Sequence, residues 1–399
     1  MLCPLCGNKD ENFFFNGHKG IYCRKCIKFK RVLLQEDLEP LEYEINENVN
    51  DYHFDYSLTK YQKEISDKCS LFIKKSDVLL HCVCGAGKTE IVVKSISEAL
   101  EKRQKVCYAI ARKEVVIELY ERFKRIFFDA KVIALYGGHH NELIGDLIIC
   151  TTHQLFRYYK TFDLLILDEV DAFPLNNNYE LMNIALNSCK GRIIFSTATL
   201  NDFIDNILKE RKVQELKLTI RPSLKPLIVP KTFYGPILFL HIYLLIILKR
   251  MKNQCIIFVS SKSEAKTLHM IFKRFLSCAY VYAELQERNK NIRDFKEKKY
   301  QFIFATSVLE RGITIKDVNV IIMNIHKDVF KKENLIQMLG RVGRNFSNPY
   351  GEAYILSAYQ NQDIKLAIEE IKNANELSLS LLSKENWSLY PLQSLYWRR

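Results

Sequence analysis

Residues 78–101 read VLLHCVCGAGKTEIVVKSISEALE, and this stretch decides the fold. Its apolar start predicts a strand over 78–83, and apolar positions at three- and four-residue spacing predict a helix over 90–102. A strand, a short glycine-containing loop and a helix form the first half of a βαβ unit. The stretch therefore predicts an α/β domain built on a parallel sheet.

The loop in this stretch has the composition of a phosphate-binding loop. Small residues let backbone amides approach a phosphate. Lys88 is placed to neutralise the β and γ phosphates of ATP, and Thr89 to offer a hydroxyl to Mg²⁺. Cys82 replaces the first glycine of the general motif. The predicted ATP-binding residues of the loop are Gly85, Ala86, Gly87, Lys88 and Thr89. The alternative is a glycine-rich turn with a surface lysine.

The same alternation of apolar runs and helical patterns continues along the chain. Further strands are predicted over 106–111, 132–135, 147–151, 164–168 and 193–196, with a crossover helix over 114–127. Pro222, Pro226 and Pro230 then interrupt the pattern, because proline removes a backbone donor and restrains the preceding residue. A second series of strands follows over 256–259, 302–305, 320–323 and 353–356. The sequence therefore predicts two tandem α/β halves.

These signals divide the chain into six segments. They are a cysteine module (1–35), a connector (36–56), an ATP-binding domain (57–220), a linker (221–235), a second α/β domain (236–360) and a helical tail (361–399).

Composition and charge limit the class of protein. The chain has 399 residues, is 48% hydrophobic and carries a formal charge of +13, so it is globular and a polyanionic partner is favoured. The alternative is a basic surface without a partner, since 46 acidic residues accompany 59 basic ones. Its start has no signal-peptide pattern, so we expect a cytoplasmic protein. The longest apolar run, 237–248, is shorter than the ~20 residues of a spanning helix and predicts a buried helix.

Two carboxylates follow the predicted strand that ends near residue 168. Ligands bind at the carboxyl ends of parallel strands. Asp168 therefore suits a role in binding Mg²⁺, and Glu169 suits polarising the water that attacks the γ phosphate. An acidic strand end is often only a helix cap, but the nearby phosphate-binding loop favours catalysis.

Two more motifs indicate which class of phosphate-binding-loop protein this chain resembles. Ser196-Thr197-Ala198-Thr199 follows an apolar strand, and Gln337-Met338-Leu339-Gly340-Arg341-Val342-Gly343-Arg344 lies in the second half. Arg341 and Arg344 are three residues apart, so on one helix face they could reach a γ phosphate bound by the other half. The alternative is a surface ion pair.

The N-terminus contains a cysteine pattern typical of zinc modules. Cys3 and Cys6 form one C-x-x-C pair, Cys23 and Cys26 form another, and 16 residues separate the pairs. Four thiolates close a tetrahedral Zn²⁺ site without an open position, which predicts a structural role. The aromatic and basic residues around them could bind nucleic acid or could form the module's small core and its solvated rim.

The ordered motifs over residues 58–357 resemble those of superfamily 2 helicases. The resemblance implies two RecA-like domains, with Gln62 reading adenine and Gln337 contributing to the nucleotide site. It implies that Ser196, Thr197 and Thr199 couple the domains and that Arg341 and Arg344 contact ATP. It also implies nucleic-acid contacts by Gly137, Gly138, Thr151, Thr152, Thr306 and Arg311.

The four-cysteine module ahead of this motor resembles the ComFA family of late-competence ATPases. The resemblance implies a cytoplasmic motor that draws single-stranded DNA through the uptake channel. Peripheral attachment at the inner face of the membrane and oligomer formation stay open. The implied partners are ComFC-type and DprA-type competence proteins, and the implied cofactors are ATP, Mg²⁺ and Zn²⁺. Alternatives are a replication-restart or repair helicase, an RNA helicase, and a non-enzymatic zinc-containing DNA-binding scaffold.

Overall fold

A computed structural model of the chain describes residues 1–46, 51–139, 141–310, 315, 317–324, 330–344 and 349–383. The chain divides into two compact units. Unit 1 comprises Met1–Leu218, and unit 2 comprises Thr219–Glu310 and the chain from Ile315 onward. Each unit is built on one parallel sheet, and four cysteines cluster at the N-terminus, so the predicted fold class is confirmed.

Unit 1 begins with a small hairpin and continues into a large sheet. The strands of its described residues are β1 (Phe14–Gly17), β2 (Gly20–Cys23), β3 (Val78–Cys82), β4 (Val106–Ile110), β5 (Val132–Leu135), β6 (Leu147–Thr151), β7 (Phe162–Asp168), β8 (Cys189–Thr197) and β9 (Gln214–Leu218). Strands β1 and β2 pair antiparallel. The others form one parallel sheet in the order β5-β6-β4-β7-β8-β3-β9.

Helices cover both faces of this sheet, which explains the continuous apolar runs of its central strands. They are α1 (Lys60–Ile73), α2 (Lys88–Glu101), α3 (Lys113–Ile126), α4 (Tyr179–Asn187) and α5 (Asp202–Arg211), with 3₁₀ helices at Glu11–Phe13 and Thr152–Arg157. All five residues of β4 and of β6 are buried. The predicted crossover helices correspond to α2 and α3.

The predicted connector lies against the sheet of unit 1. The backbone amide of Leu41 donates to Thr161 Oγ1 over 3.0 Å, and the amide of Asn46 donates to Asp146 Oδ1 over 2.8 Å. Lys105 Nζ donates to the Leu41 carbonyl over 3.1 Å. The described part of the connector is therefore held to the sheet at several positions.

Unit 2 contains the second parallel sheet. The strands of its described residues are β10 (Lys231–Tyr234), β11 (Cys255–Val259), β12 (Cys278–Val281), β13 (Phe302–Ala305), β14 (Asn319–Asn324) and β15 (Ala353–Ser357), in the order β10-β15-β14-β11-β13-β12. Its helices are α6 (Ile237–Arg250), α7 (Lys262–Phe272), α8 (Arg288–Lys296), α9 (Lys332–Leu339) and α10 (Gln362–Ser383), with a 3₁₀ helix at Ser307–Leu309. Strand β10 lies inside the segment expected to be a linker.

The apolar run 237–248 forms α6, but the prediction that this helix is buried is wrong for one of its faces. Leu240 and Leu244 pack into the core of unit 2, whereas Leu238 and Phe239 are 68% and 66% exposed. Only one side of the helix faces the sheet, so the other side meets solvent. Among the described residues, no helix is both long enough and apolar enough to cross a membrane.

Candidate nucleotide-binding and zinc sites

The predicted phosphate-binding loop lies between β3 and α2 in unit 1. Gly85 and Gly87 have φ of 80° and 87°, a region that favours glycine. Lys88 is the first residue of α2, and among the described side chains none caps this helix terminus. Cys82 belongs to β3 and is extended, so the strand position does not need the glycine of the general motif. The loop thus presents backbone amides and a lysine at one helix start, as phosphate binding requires.

Gln62 extends from the start of α1 to this loop. Its Nε2 donates to the Ala86 carbonyl over 3.0 Å, while its Oε1 accepts the Thr59 amide over 3.0 Å. A Cβ built on Gly87 would collide with Gln62 Nε2. The residue predicted to read adenine therefore contacts the phosphate-binding loop directly, and the second glycine makes room for it.

Lys88 faces the carboxylates at the end of β7. Burial by itself would lower its pKa, but Asp168, Cys84 and Glu169 together raise it above the ordinary value. The ammonium is therefore retained at neutral pH. Glu169 has φ of 53°, a left-handed conformation that residues other than glycine rarely adopt. Such strained positions cluster at functional sites, which fits the predicted role of Glu169 beside the γ phosphate.

Asp168 is held by three hydrogen bonds. Its Oδ2 accepts from Tyr108 Oη over 2.7 Å, and its Oδ1 accepts from Ser196 Oγ over 2.7 Å and from the Glu169 amide over 2.9 Å. These bonds fix the orientation of the carboxylate, an arrangement that fits a magnesium site.

Tyr108 contacts the predicted site, and the sequence analysis missed it. It lies at the centre of the otherwise apolar β4 and is fully buried. Burial, followed by the charge of Asp168, raises its pKa well above the ordinary value, so the hydroxyl stays protonated and donates to the carboxylate. A hydroxyl-bearing ring on a strand next to the one that ends in Asp168 was the available signal.

Replacing Tyr108 with phenylalanine is expected to weaken Mg²⁺-dependent ATP hydrolysis about 10- to 100-fold, the usual cost of removing a hydrogen bond that orients a metal ligand. The ring stays, so the core remains filled and only one donor to Asp168 Oδ2 is lost. The apparent Mg²⁺ affinity, measured by titrating ATPase activity, should fall. Tyr120→Phe on α3 is the control. An unchanged Mg²⁺ titration curve for Tyr108→Phe would contradict this role.

The Ser-Thr-Ala-Thr motif lies at the end of β8, beside the carboxylates of β7. Thr199 Oγ1 donates to Asp171 Oδ2 over 2.6 Å, and Thr197 Oγ1 donates to the Thr199 carbonyl over 2.6 Å. With the bond from Ser196 to Asp168, both flanking aspartates of the acidic motif are hydrogen-bonded to this segment. A change in the conformation of this segment would therefore move or release the carboxylates of Asp168 and Asp171.

The predicted arginines lie in unit 2, after α9. Arg341 is 2% exposed and its Nε donates to the Glu310 carbonyl over 3.1 Å, whereas Arg344 is exposed and its Nε donates to the Gly340 carbonyl over 2.9 Å. Gln337 is buried on α9. Arg341 is thus built into the domain, while Arg344 presents its guanidinium to solvent.

The sequence reasoning also missed Arg221, which supports the turn that carries these arginines. Its guanidinium donates to the carbonyls of Val342, Gly343 and Gly340 over 2.7, 3.2 and 2.9 Å. Gly343 has φ of 68°, and a Cβ there would lie 2.6 Å from the Pro349 carbonyl oxygen. An arginine at the start of a proline-rich segment was the available signal, but its partners are more than a hundred residues away.

The predicted nucleic-acid contacts occupy several loop and strand ends. Gly137 and Gly138 form a turn after β5, and nothing lies within 4 Å of a Cβ built on either. Thr151 ends β6 and Thr152 begins the 3₁₀ helix that follows it; both are buried, so their hydroxyls do not face solvent. Thr306 follows β13. Arg311 lies outside the described residues, as does the end of the tail, 384–399.

The four N-terminal cysteines form one cluster. Their sulfurs all lie within 4.8 Å of one another, and all four side chains are buried. Cys3 Sγ is 3.5 Å from Cys26 Sγ, and Cys6 Sγ is 3.8 Å from Cys23 Sγ. Sulfurs this close together can bind one metal ion as thiolates. The cluster therefore fits a structural Zn²⁺ site, with His18 exposed and outside it.

The cysteine module is docked on α4 of the same unit. Asn183 Nδ2 donates to the Cys6 carbonyl and Asn187 Nδ2 to the Leu5 carbonyl, each over 3.0 Å. Lys25 Nζ lies 2.9 Å from Glu180 Oε1. The cysteines share a core with residues of α4, so the module is part of unit 1 and not a separate body.

Comparisons with known proteins agree with this geometry. Residues 59–207 match the DEAD/DEAH box helicase family, and residues 239–346 match the helicase conserved C-terminal domain. The chain is 30% identical to competence protein ComFA of Streptococcus pneumoniae, over 94% of this chain and 90% of that protein. It belongs to the ComFA family. This ComFA-family chain is also 28% identical to ComFA of Bacillus subtilis, over 94% of this chain and 86% of that one.

More distant similarities concern other helicases. The ComFA-family chain is 25% identical to the transcription-repair-coupling factor of Borreliella burgdorferi, over 79% of this chain and 29% of that protein. A solved structure of S. cerevisiae Dbp5 bound to RNA and ADP BeF3 has a TM-score of 0.61 at 17% identity, over 79% of this chain and 87% of that chain. The Dbp5 likeness shows the fold alone.

Family membership fixes the class of activity. The chain is a competence-associated helicase of the DEAD/DEAH type and an ATP-hydrolysing enzyme, and its helicase domains imply ATP and Mg²⁺. A non-enzymatic scaffold is therefore disfavoured.

Proposed function

We propose that this chain is an ATP-dependent single-stranded DNA translocase that powers the uptake of transforming DNA during competence. The observation that carries the proposal is its likeness to two competence proteins over nearly the whole chain, joined to a complete set of nucleotide-site residues. The charge of +13 supports a polyanionic partner. The proposed location is the cytoplasmic face of the uptake channel, with ComFC-type and DprA-type proteins as partners.

The proposed roles follow from the geometry of each unit. Gln62 would bind adenine, and the loop amides with Lys88 would bind the phosphates. Magnesium, when bound, would neutralise charge on the phosphate oxygens, and Thr89 and Asp168 would hold it. Glu169 would orient the attacking water. Arg341 and Arg344 would stabilise the charge that develops on the transferred phosphoryl group.

To move along a nucleic acid, the protein must bind the strand differently before and after ATP hydrolysis. The bonds from Ser196 and Thr199 to Asp168 and Asp171 supply a short connection from the carboxylates to β8. We infer that this connection transmits the state of the phosphate site. Gly137, Gly138, Thr151, Thr152, Thr306 and Arg311 would contact the DNA backbone.

ATP hydrolysis by the purified protein in the presence of single-stranded DNA, duplex DNA or single-stranded RNA tests this function. We expect the strongest stimulation by single-stranded DNA. Preferential stimulation by duplex DNA with strand displacement would favour a repair-type helicase, in line with the similarity to the transcription-repair-coupling factor. Preferential stimulation by RNA would favour an RNA helicase. Either result would overturn the proposal.

A further inference from the structure

The β1–β2 hairpin carries an aromatic pair that the core of the module does not use. Phe14 pairs with Cys23 across the hairpin and packs into the cluster that contains the cysteines. Phe15 and Tyr22 form the next pair, with ring centroids 6.4 Å apart, and side chains of successive strand residues point to opposite faces. Phe15 is 36% exposed. One face of the hairpin therefore supports the cysteine cluster, and the other presents aromatic rings to solvent.

An arginine lies over each of these rings. The Arg24 guanidinium carbon is 4.0 Å from the centroid of Phe15, and the Arg31 guanidinium carbon is 4.1 Å from that of Tyr22. Gly17 makes room for this arrangement, because a Cβ built there would collide with Arg31 Nη2. We call Arg24, Phe15, Tyr22 and Arg31 the hairpin stripe. Its two rings are neighbours, and one guanidinium lies over each of them.

The stripe is positively charged and its cations have no carboxylate partner among the residues that the structure describes. Three carboxylates of this region have other partners: Asp10 accepts the Asn12 amide, Glu36 pairs with Lys30, and Glu180 pairs with Lys25. Both guanidiniums are exposed. The exposed Phe15 ring and the half-buried Tyr22 ring, each beside an arginine, match the needs of a single nucleic-acid strand, whose bases stack on flat groups and whose phosphates need cations.

The module is also fixed next to a proposed nucleic-acid contact. Phe29 lies 6.0 Å from the ring of His153 and 6.2 Å from that of Phe156, both in the 3₁₀ helix that starts at Thr152. This helix follows β6, whose end is proposed to hold the DNA backbone. The docking contacts to α4 keep the module in place within unit 1. A nucleic-acid strand that is bound at the end of β6 and extends beyond it would thus contact the zinc module.

We propose that the hairpin stripe is a binding site for single-stranded nucleic acid. Bases stack on Phe15, Tyr22 and the two guanidinium planes, and Arg24 and Arg31 neutralise phosphates, so recognition is independent of base sequence. This role rests on the proposed translocase function: the zinc module binds the same DNA strand that the motor moves.

The test is binding of a fluorescent oligothymidylate by the full-length protein without nucleotide, followed by anisotropy at several salt concentrations. Phe15→Ala/Arg24→Ala is expected to weaken binding roughly tenfold or more, the usual effect of losing a stacking platform. Phe128→Ala/Arg125→Ala removes a more exposed ring and an exposed arginine from the same unit; it is the control and should bind as wild type. Zinc content, measured for each variant, reports whether the module is intact.

A second variant retains both rings in case loss of Phe15 unfolds the hairpin. Arg24→Gln/Arg31→Gln should reduce the slope of log Kobs against log salt by about 1.4, since each phosphate contact to a single strand contributes about 0.7. If zinc-loaded variants bind the oligothymidylate with the wild-type affinity and salt slope, the proposal is overturned. The hairpin stripe would then be a candidate surface for a protein partner. Because the assay contains no nucleotide, this failure is distinct from absence of DNA-stimulated ATPase, which would instead overturn the translocase function.

Discussion

Lys88→Ala is expected to lower the ATPase rate at least about 100-fold, the scale seen when one preorganised group that stabilises transition-state charge is removed. The ammonium is the cation that faces Asp168 and Glu169 at the start of α2. Without it, phosphate charge would approach these carboxylates with less compensation. Turnover measured at saturating Mg²⁺ and ATP reports the loss directly.

Lys94→Ala is the matched control for this variant, because Lys94 lies on the same helix and forms an exposed ion pair with Asp67. Exposed pairs of this kind contribute about 0–1 kcal/mol, so the control should fold and hydrolyse ATP normally. Near-normal turnover by contaminant-free Lys88→Ala protein would refute the assignment of the phosphate-binding loop.

Arg344→Ala is expected to reduce kcat about 1,000-fold or more, the range in which a transition-state arginine acts. Arg344 is exposed, and its one hydrogen bond that is described runs to the Gly340 carbonyl, so its removal should leave the thermal unfolding midpoint nearly unchanged. Arg341→Ala should differ, since it removes a buried guanidinium that donates to Glu310 and should lower both kcat and stability.

Kinetics and thermal unfolding of both variants separate these effects. Arg274→Ala, another exposed arginine of unit 2, is the control for loss of charge. Unchanged kcat for Arg344→Ala would show that this arginine is a surface group, which was the alternative to the catalytic interpretation.

The sequence predicted those parts of the fold that local patterns specify. Strand β3, the loop and α2 were predicted because an apolar strand, positive-φ glycines and an amphipathic helix follow one another within 24 residues. Strand β9, with the sequence QELKL, was missed because it is an edge strand whose alternate residues face solvent. Strand β10 was missed because it follows prolines and is stabilised by pairing with the distant β15.

In the candidate site, too, the residues set by local sequence patterns were predicted and those set by distant contacts were not. Lys88, Asp168 and Glu169 are recognisable because their spacing from strands is local. The contribution of Tyr108 depends on β4 and β7 lying side by side, and that of Arg221 on carbonyls more than a hundred residues along the chain. The exposed face of α6 could not be read from its composition, since burial there depends on which side of the helix meets the sheet.

ATP-driven displacement of streptavidin from end-biotinylated single-stranded DNA tests the translocase claim most directly. Wild-type protein is expected to displace streptavidin from one of the two DNA ends, while Lys88→Ala protein, still bound to DNA, should not. Wild-type protein that hydrolyses ATP on single-stranded DNA yet displaces streptavidin from neither end would contradict the account.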